Sequence, residues 1–220
     1  MANILKVFIS YCSDDNQDFP PILKDYFECS TGFNVFLASI NLNTGDDFQE
    51  EILQNLATSD LFIPLFSKNF LTSIFANQEV GIAIEKGLKI MPISIDGTKP
   101  GGFIDRLHAY PCSRLNEQEV VDIVSVLFSR LIRDPQYSQF QEKAINSLTF
   151  SFLKCNSWKK TSVAFKLMKL AAQNGIKFNQ IQLAIIKKGI TTNDQVNTAD
   201  LIMPSIREFL QNTYSLTIDN

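Results

Sequence analysis

Glu79 lies in the segment Ser67-Lys68-Asn69-Phe70-Leu71-Thr72-Ser73-Ile74-Phe75-Ala76-Asn77-Gln78-Glu79-Val80-Gly81, after an apolar run that reads as a strand and near the start of the following helix. A carboxylate placed there can stabilise positive charge that develops on a bound molecule in a partly dry cleft. It can equally be a solvated carboxylate in a helix's first turn, favoured by the dipole. Ser10 and Tyr11 close the first apolar run, and their hydroxyls either meet a ligand or simply end a strand. Phe75, four residues before Glu79, shares its face if that turn is already helical, either to stack on a ligand or to fill the core.

Several common chemistries are excluded by what the chain lacks. It has no Gly-x-Gly-x-x-Gly turn and no phosphate loop ending in Gly-Lys-Ser/Thr. His108 is the single histidine, and nothing near it in sequence supplies an ordered nucleophile. Asp14-Asp15 after the first strand suggests a phosphorylation receiver, yet the third strand ends in Phe66-Ser67 where that fold needs an acceptor aspartate. Cys12, Cys29, Cys112 and Cys155 show no paired spacing, so free thiols are expected rather than a zinc site or a disulfide framework.

These residues need a scaffold, and 220 residues suffice for one large domain or an ordinary domain with a small companion. The apolar and charged fractions are those of a globular protein. The sequence shows neither a membrane-spanning run nor a secretory signal layout at Met1 to Lys6, so a cytoplasmic location is expected. Charge is uneven. Residues 1–140 carry 10 basic and 18 acidic side chains, net −8, whereas 141–220 carry 10 and 5, net +5. Two modules are expected, 1–134 and 140–220, divided near Asp134-Pro135. The basic tail holds Trp158-Lys159-Lys160, Lys166, Lys169 and Lys187-Lys188, but its lysines are spread among helical apolar positions with no arginine cluster. It reads as a solvated face of an assembly or regulatory module rather than a nucleic-acid footprint.

Apolar runs at Leu5–Ile9, Asn34–Leu37, Leu61–Phe66 and Lys89–Ile95 read as buried strands, with a short edge strand at His108–Tyr110. Helices alternate with them. One starts near Pro20-Pro21, one carries Phe48, Ile52, Leu53 and Leu56, one runs from Ser73 to Gly87, and one from Val120 to Ile132. The pattern predicts an α/β fold with a five-stranded parallel sheet, helices on both faces and flavodoxin-like order. Pro64 is anomalous inside a central strand. Ligands should bind beyond the carboxyl ends of the strands, where Ser10–Asp15, Ala38–Asp46 and Ser67–Glu79 converge. In the tail, helices are expected around Val163–Ala171, closed by Asn174-Gly175, around Ile181–Ile186, closed by Gly189, and over Leu201–Leu210. A strand is conceivable only at Ser215–Ile218.

Taken together, Phe8-Ile9-Ser10-Tyr11, Val35-Phe36-Leu37-Ala38 with Gly45, Phe48-Gln49-Glu50-Glu51-Ile52, Ser59-Asp60, Pro64-Leu65-Phe66-Ser67 and Glu79-Val80-Gly81-Ile82-Ala83 resemble a Toll/interleukin-1 receptor (TIR) domain of the bacterial type, over residues 5 to 133. The resemblance implies an enzyme that splits NAD between nicotinamide and ribose, with Glu79 at the family's catalytic glutamate position. It assigns substrate contact to Ser10, Tyr11, Phe36, Ala38, Gly45 and Phe75, with NAD as substrate and no cofactor. Family enzymes usually carry tryptophan where this chain has Phe75, and often a basic residue where it has Cys12. Ala38–Asp46 matches a loop that borders the cleft and mediates contact between neighbouring domains, so self-association is implied, with an upstream sensor or downstream effector and a setting in bacterial antiviral defence. Three functions follow: NAD glycohydrolase or cyclase, a scaffold without catalysis that pairs with other TIR domains, and, less well matched to the motifs, a nucleoside-processing enzyme of similar architecture.

Overall fold

Parallel pairing holds the six residues of Lys6–Tyr11 (β1) against Asn34–Ser39 (β2) on one side and Leu61–Phe66 (β3) on the other. The computed structural model describes residues 3–39 and 46–218, and the side chains of all of these but 39 and 46–49. Every residue of β3 and all but Lys6 of β1 are buried, which is why both runs read as continuously apolar. Lys89–Ile90 (β4), Ile93–Ser94 (β5) and Tyr110–Pro111 (β6) complete the sheet. The order is β2-β1-β3-β5-β6, with β4 also on β3, all parallel. This is the flavodoxin-like arrangement with its fourth strand in two pieces.

Pro64 explains the break. In a parallel ladder alternate residues bond to alternate neighbours, and the carbonyls of Phe62 and Phe66 accept from Met91 N (2.9 Å) and Ile95 N (2.9 Å). Pro64 therefore faces the fourth strand and has no N–H to give it. The interruption falls opposite, at Met91–Pro92. The proline that looked out of place in a central strand sits where its neighbour is discontinuous.

Helices Phe19–Tyr26 (α1), Asp46–Thr58 (α2), Lys68–Thr72 (α3), Ile74–Glu85 (α4) and Glu117–Arg133 (α5) alternate with the strands. Pro20 and Pro21 occupy the first turn of α1, where a missing amide costs little. Two serines cap in succession: Ser67 Oγ accepts from Phe70 N at the start of α3, and Ser73 Oγ from Ala76 N at the start of α4. Ser73 is extended, with ψ 119°, so α3 stands apart as a separate short helix.

One compact unit comprises Leu5–Asp25 and Asn34–Ile123 and contains the sheet. On one of its faces Phe8, Phe36, Ala38 and Phe62 pack with Ile52 and Leu56 of α2 and Val80 and Ala83 of α4. On the same face Cys12, Phe66, Phe70, Ala76 and Ile104 form a second cluster.

The other unit takes Tyr26–Phe33 together with Met1–Ile4 and Val124–Asn220. It holds a π-helix at Phe27–Thr31 and the helices Ser138–Lys154 (α6), Trp158–Gln173 (α7), Gln180–Thr192 (α8), Asp194–Asn197 (α9) and Met203–Tyr214 (α10). Gly32 turns with φ 73° against α6, where an added Cβ would lie 1.9 Å from Ser147 O. Lys154 Nζ donates to Gly32 O (3.2 Å) and Cys155 Sγ to Cys29 O (3.2 Å). Gly189 does not close α8 as its residue type suggested. It lies inside the helix, where a Cβ would come within 2.8 Å of Phe152. Its smallness lets α8 approach α6. Residues 215–218 form no strand, and Ser215 ends α10 in a left-handed conformation at φ 54°. The four cysteines are buried and none is in a disulfide. Among the described residues no helix is long and apolar enough to cross a membrane.

Candidate functional site

The site is built on one sheet face at the C-terminal edge. Strand register sets Ser10 between Ala38 of β2 and Pro64 of β3. Neighbours in register point to the same side, so Ser10 continues the face that Phe8, Phe36, Ala38 and Phe62 build. Helix α4 lies over this face through Val80 and Ala83, and Glu79, one turn before Ala83, points the same way. The two meet: Ser10 Oγ donates to Glu79 Oε2.

Both partners are withdrawn from solvent, Ser10 completely and Glu79 to 4 % exposure. Burial pushes the Glu79 carboxyl up from 4.5 to about 7, against the lowering effect of the Ser10 hydroxyl. Among the described residues no charged group adds to this shift. Glu79 is the sixth residue of α4 rather than a member of its first turn, and it is not solvated. The helix-dipole account of this residue therefore does not apply. A carboxylate held this way near neutrality is poorly solvated and uncompensated, and it gains from any cation that arrives beside it.

Hydrogen bonds draw together the loops that follow β1 and β3. Asp15 accepts from Ser67 Oγ (2.6 Å) and from Asn69 Nδ2 (2.9 Å), and Asn69 Nδ2 also reaches Asp14 O (3.4 Å). Beyond β5, Asp96 accepts from the amides of Lys68 (3.1 Å) and Thr98 (2.9 Å). Burial acts to raise Asp96, but the hydrogen bond of the Thr98 side chain, those of the Lys68 and Thr98 amides and the Lys68 charge outweigh it and hold the carboxyl below its usual range. Asp14-Asp15, suggestive of a phosphorylation receiver in sequence, is here a tether. No spacing rule pairs Asp15 with Ser67 across the sheet, so this role was invisible in the chain.

Of the residues singled out in the sequence, the structure brings together Glu79, Ser10 and Ala38, with Phe36 two positions back on the same face, in ring contact with Phe8 (centroids 5.3 Å apart). Phe75 is in α4, four residues before Glu79, and at 38 % exposure it is not a core aromatic. Tyr11 is buried in the alternate pleat position, on the face opposite Ser10, and is not brought to Glu79. Gly45 lies outside the described residues, as does most of the loop it belongs to. Cys12 is buried beside Phe66 and Phe70, and its thiol is pushed up first by burial and then by the charges of Asp15 and Asp14, against the backbone hydrogen bond of Asp14.

A family model described as the TIR domain matches residues 7–125. Among curated proteins none matches the chain.

Proposed function

Because the chain belongs to the TIR-domain family, we propose that it cleaves NAD at the nicotinamide–ribose bond, with Glu79 as the catalytic carboxylate. The observation that carries this reading is the buried Glu79 carboxyl, whose polar contact among the described residues is one hydroxyl at the C-terminal edge of a parallel sheet. A carboxylate kept there for stability alone would be expected to have a cation or several donors.

The chemistry suits a single acid. The nicotinamide of NAD is a cationic pyridinium, so when the C–N bond breaks the electron pair leaves with nitrogen, nicotinamide departs neutral, and nothing has to protonate it. The positive charge passes to the ribose as an oxocarbenium-like centre. Glu79, ionised, stabilises that charge and accepts hydrogen bonds from the ribose hydroxyls. Water then adds at the anomeric carbon and loses a proton to give ADP-ribose. Alternatively a nitrogen or hydroxyl of the same molecule adds, giving a cyclic isomer. Phe75, exposed one turn before Glu79, offers a ring face to the ligand. The setting proposed is defence, through NAD depletion or a nucleotide signal.

A scaffold role is favoured by a different observation. Leu71, Ile74 and Phe75 leave apolar side chains exposed over α3 and α4, as does Phe103 in the loop after β5, an arrangement suited to pairing with another TIR domain. One experiment separates the two. Purified protein is incubated with NAD, dilute and self-associated, and products are resolved for the parent and for Glu79→Ala. Nicotinamide released by the parent and lost in a folded Glu79→Ala chain supports the enzyme. Release that survives the substitution removes Glu79 from the mechanism, and no release in any assembled state favours the scaffold.

A further inference from the structure

We infer that Ser10 is a positioning residue for Glu79: its hydroxyl fixes the orientation of the carboxylate, and it is not itself a substrate contact. The inference rests on the catalytic reading of Glu79 given above.

Three features of the geometry lead here. Ser10 is fully buried, and its one hydroxyl hydrogen is committed to Glu79 Oε2. The residues beside it in register, Ala38 and Pro64, carry no polar side-chain atom, so Ser10 alone gives Glu79 a polar floor. Finally, the bond engages one carboxylate oxygen of Glu79, Oε2, and so fixes how the group is turned. A serine hydroxyl can also rotate to accept from the protonated acid, so it holds Glu79 in either state but favours the ionised one when donating.

Among the described residues, charged groups on the surrounding elements do not take this role. Glu50 and Glu51 of α2, Lys68 of α3 and Glu85 of α4 are exposed, and Asp14 is exposed on the loop after β1. Asp15 is bound to Ser67 and Asn69. Cys12, the residue after β1, is buried in the cluster with Phe66 and Phe70, its thiol pushed up by burial. Strands β2 and β3 bring no titratable side chain. The ionisation of Glu79 responds to burial and to Ser10.

The test uses the full chain with carboxyl-labelled glutamate, the Glu79 resonance being assigned by its loss in Glu79→Gln. Its NMR titration is followed in the parent, Ser10→Ala and Ser10→Thr. Removing one charge-assisted hydrogen bond should tighten proton binding by Glu79 by about tenfold. Threonine, which keeps the hydroxyl and suits a strand, should restore the parent titration. Nicotinamide release by Ser10→Ala should show kcat at pH 7 lowered several-fold, its rise displaced to higher pH, and KM within about twofold of the parent, because a group that orients the carboxylate acts on the transition state. An unmoved Glu79 titration in Ser10→Ala overturns the inference. A moved titration with an unmoved pH dependence of kcat overturns it as a statement about catalysis. If the parent releases no nicotinamide, the catalytic reading fails, and the titration alone decides whether Ser10 holds Glu79.

Discussion

Glu79→Gln is the most informative single change, because it separates the cost of ionising this side chain from its role in any reaction. Glutamine keeps the volume and an acceptor oxygen for the Ser10 hydroxyl, so packing is preserved. What disappears is the proton. In the folded chain burial raises the carboxyl from 4.5 to about 7, so the folded form binds this proton more tightly than the unfolded form. Between those two values the folded state therefore carries more bound proton, and the stability contributed by Glu79 falls as pH rises through the interval. At about 1.4 kcal/mol per tenfold change in proton affinity, the full loss is about 3 kcal/mol, complete above pH 7. Glutamine suffers no such loss. Urea unfolding of parent and variant at pH 5 and pH 8 should therefore show the variant gaining on the parent by up to about 3 kcal/mol as pH rises, with the slope in urea unchanged. Titrations elsewhere cancel, since both chains share them. A difference that is the same at the two pH values would refute the argument that Glu79 is held uncompensated. A stability gain joined to loss of nicotinamide release is the trade expected when a destabilised group is kept for function.

Other outcomes follow from the same structure. If Glu79 must be ionised, kcat/KM for nicotinamide release should rise with pH and level off above about 7, a profile absent in Glu79→Gln. Asp15→Ala removes the acceptor for Ser67 and Asn69, and it should lower kcat/KM about tenfold while costing only about 1 kcal/mol of stability by chemical denaturation. Gly189→Ala sets a gain of about 1 kcal/mol in helix propensity against an overpacking cost of about 1–3 kcal/mol where Cβ meets Phe152, so a net loss in urea midpoint is expected. Gly32→Ala should be worse, because the new Cβ would lie 1.9 Å from a carbonyl oxygen and the backbone is left-handed. Loss of the folded circular dichroism signal at 37 °C is the expected reading.

How far the chain could be read depends on what each pattern encodes. Fully buried parallel strands announce themselves, and β1 and β3 lie where Leu5–Ile9 and Leu61–Phe66 indicated. Helix α6 is not legible in the sequence because its buried face mixes Ser147, Thr149 and Ser151 with Phe140, Leu148 and Phe152. Those hydroxyls bond back to the carbonyls of Lys143, Ile145 and Leu148 inside the helix, so they bury well while erasing the apolar period. Gly189 misled because a close helix contact and a helix end use the same residue. In the site, the position of Glu79 was legible, but its burial and its bond to Ser10 were not. They depend on the register of three strands, which no local pattern states.

The Phe27–Phe33 segment has a consequence in time as well as in space. Its partners Ser147, Lys154 and Cys155 are synthesised more than a hundred residues later, Lys154 being 122 positions from Gly32. At roughly 5–20 residues per second this stretch waits on the order of ten seconds on the ribosome before α6 can pack against it. The loop closure that ends the wait is among the longest in the chain, so this corner should form late and be the first to engage a chaperone. A product truncated near residue 134 would carry the whole match to its family and still lack the helix against which Gly32 turns.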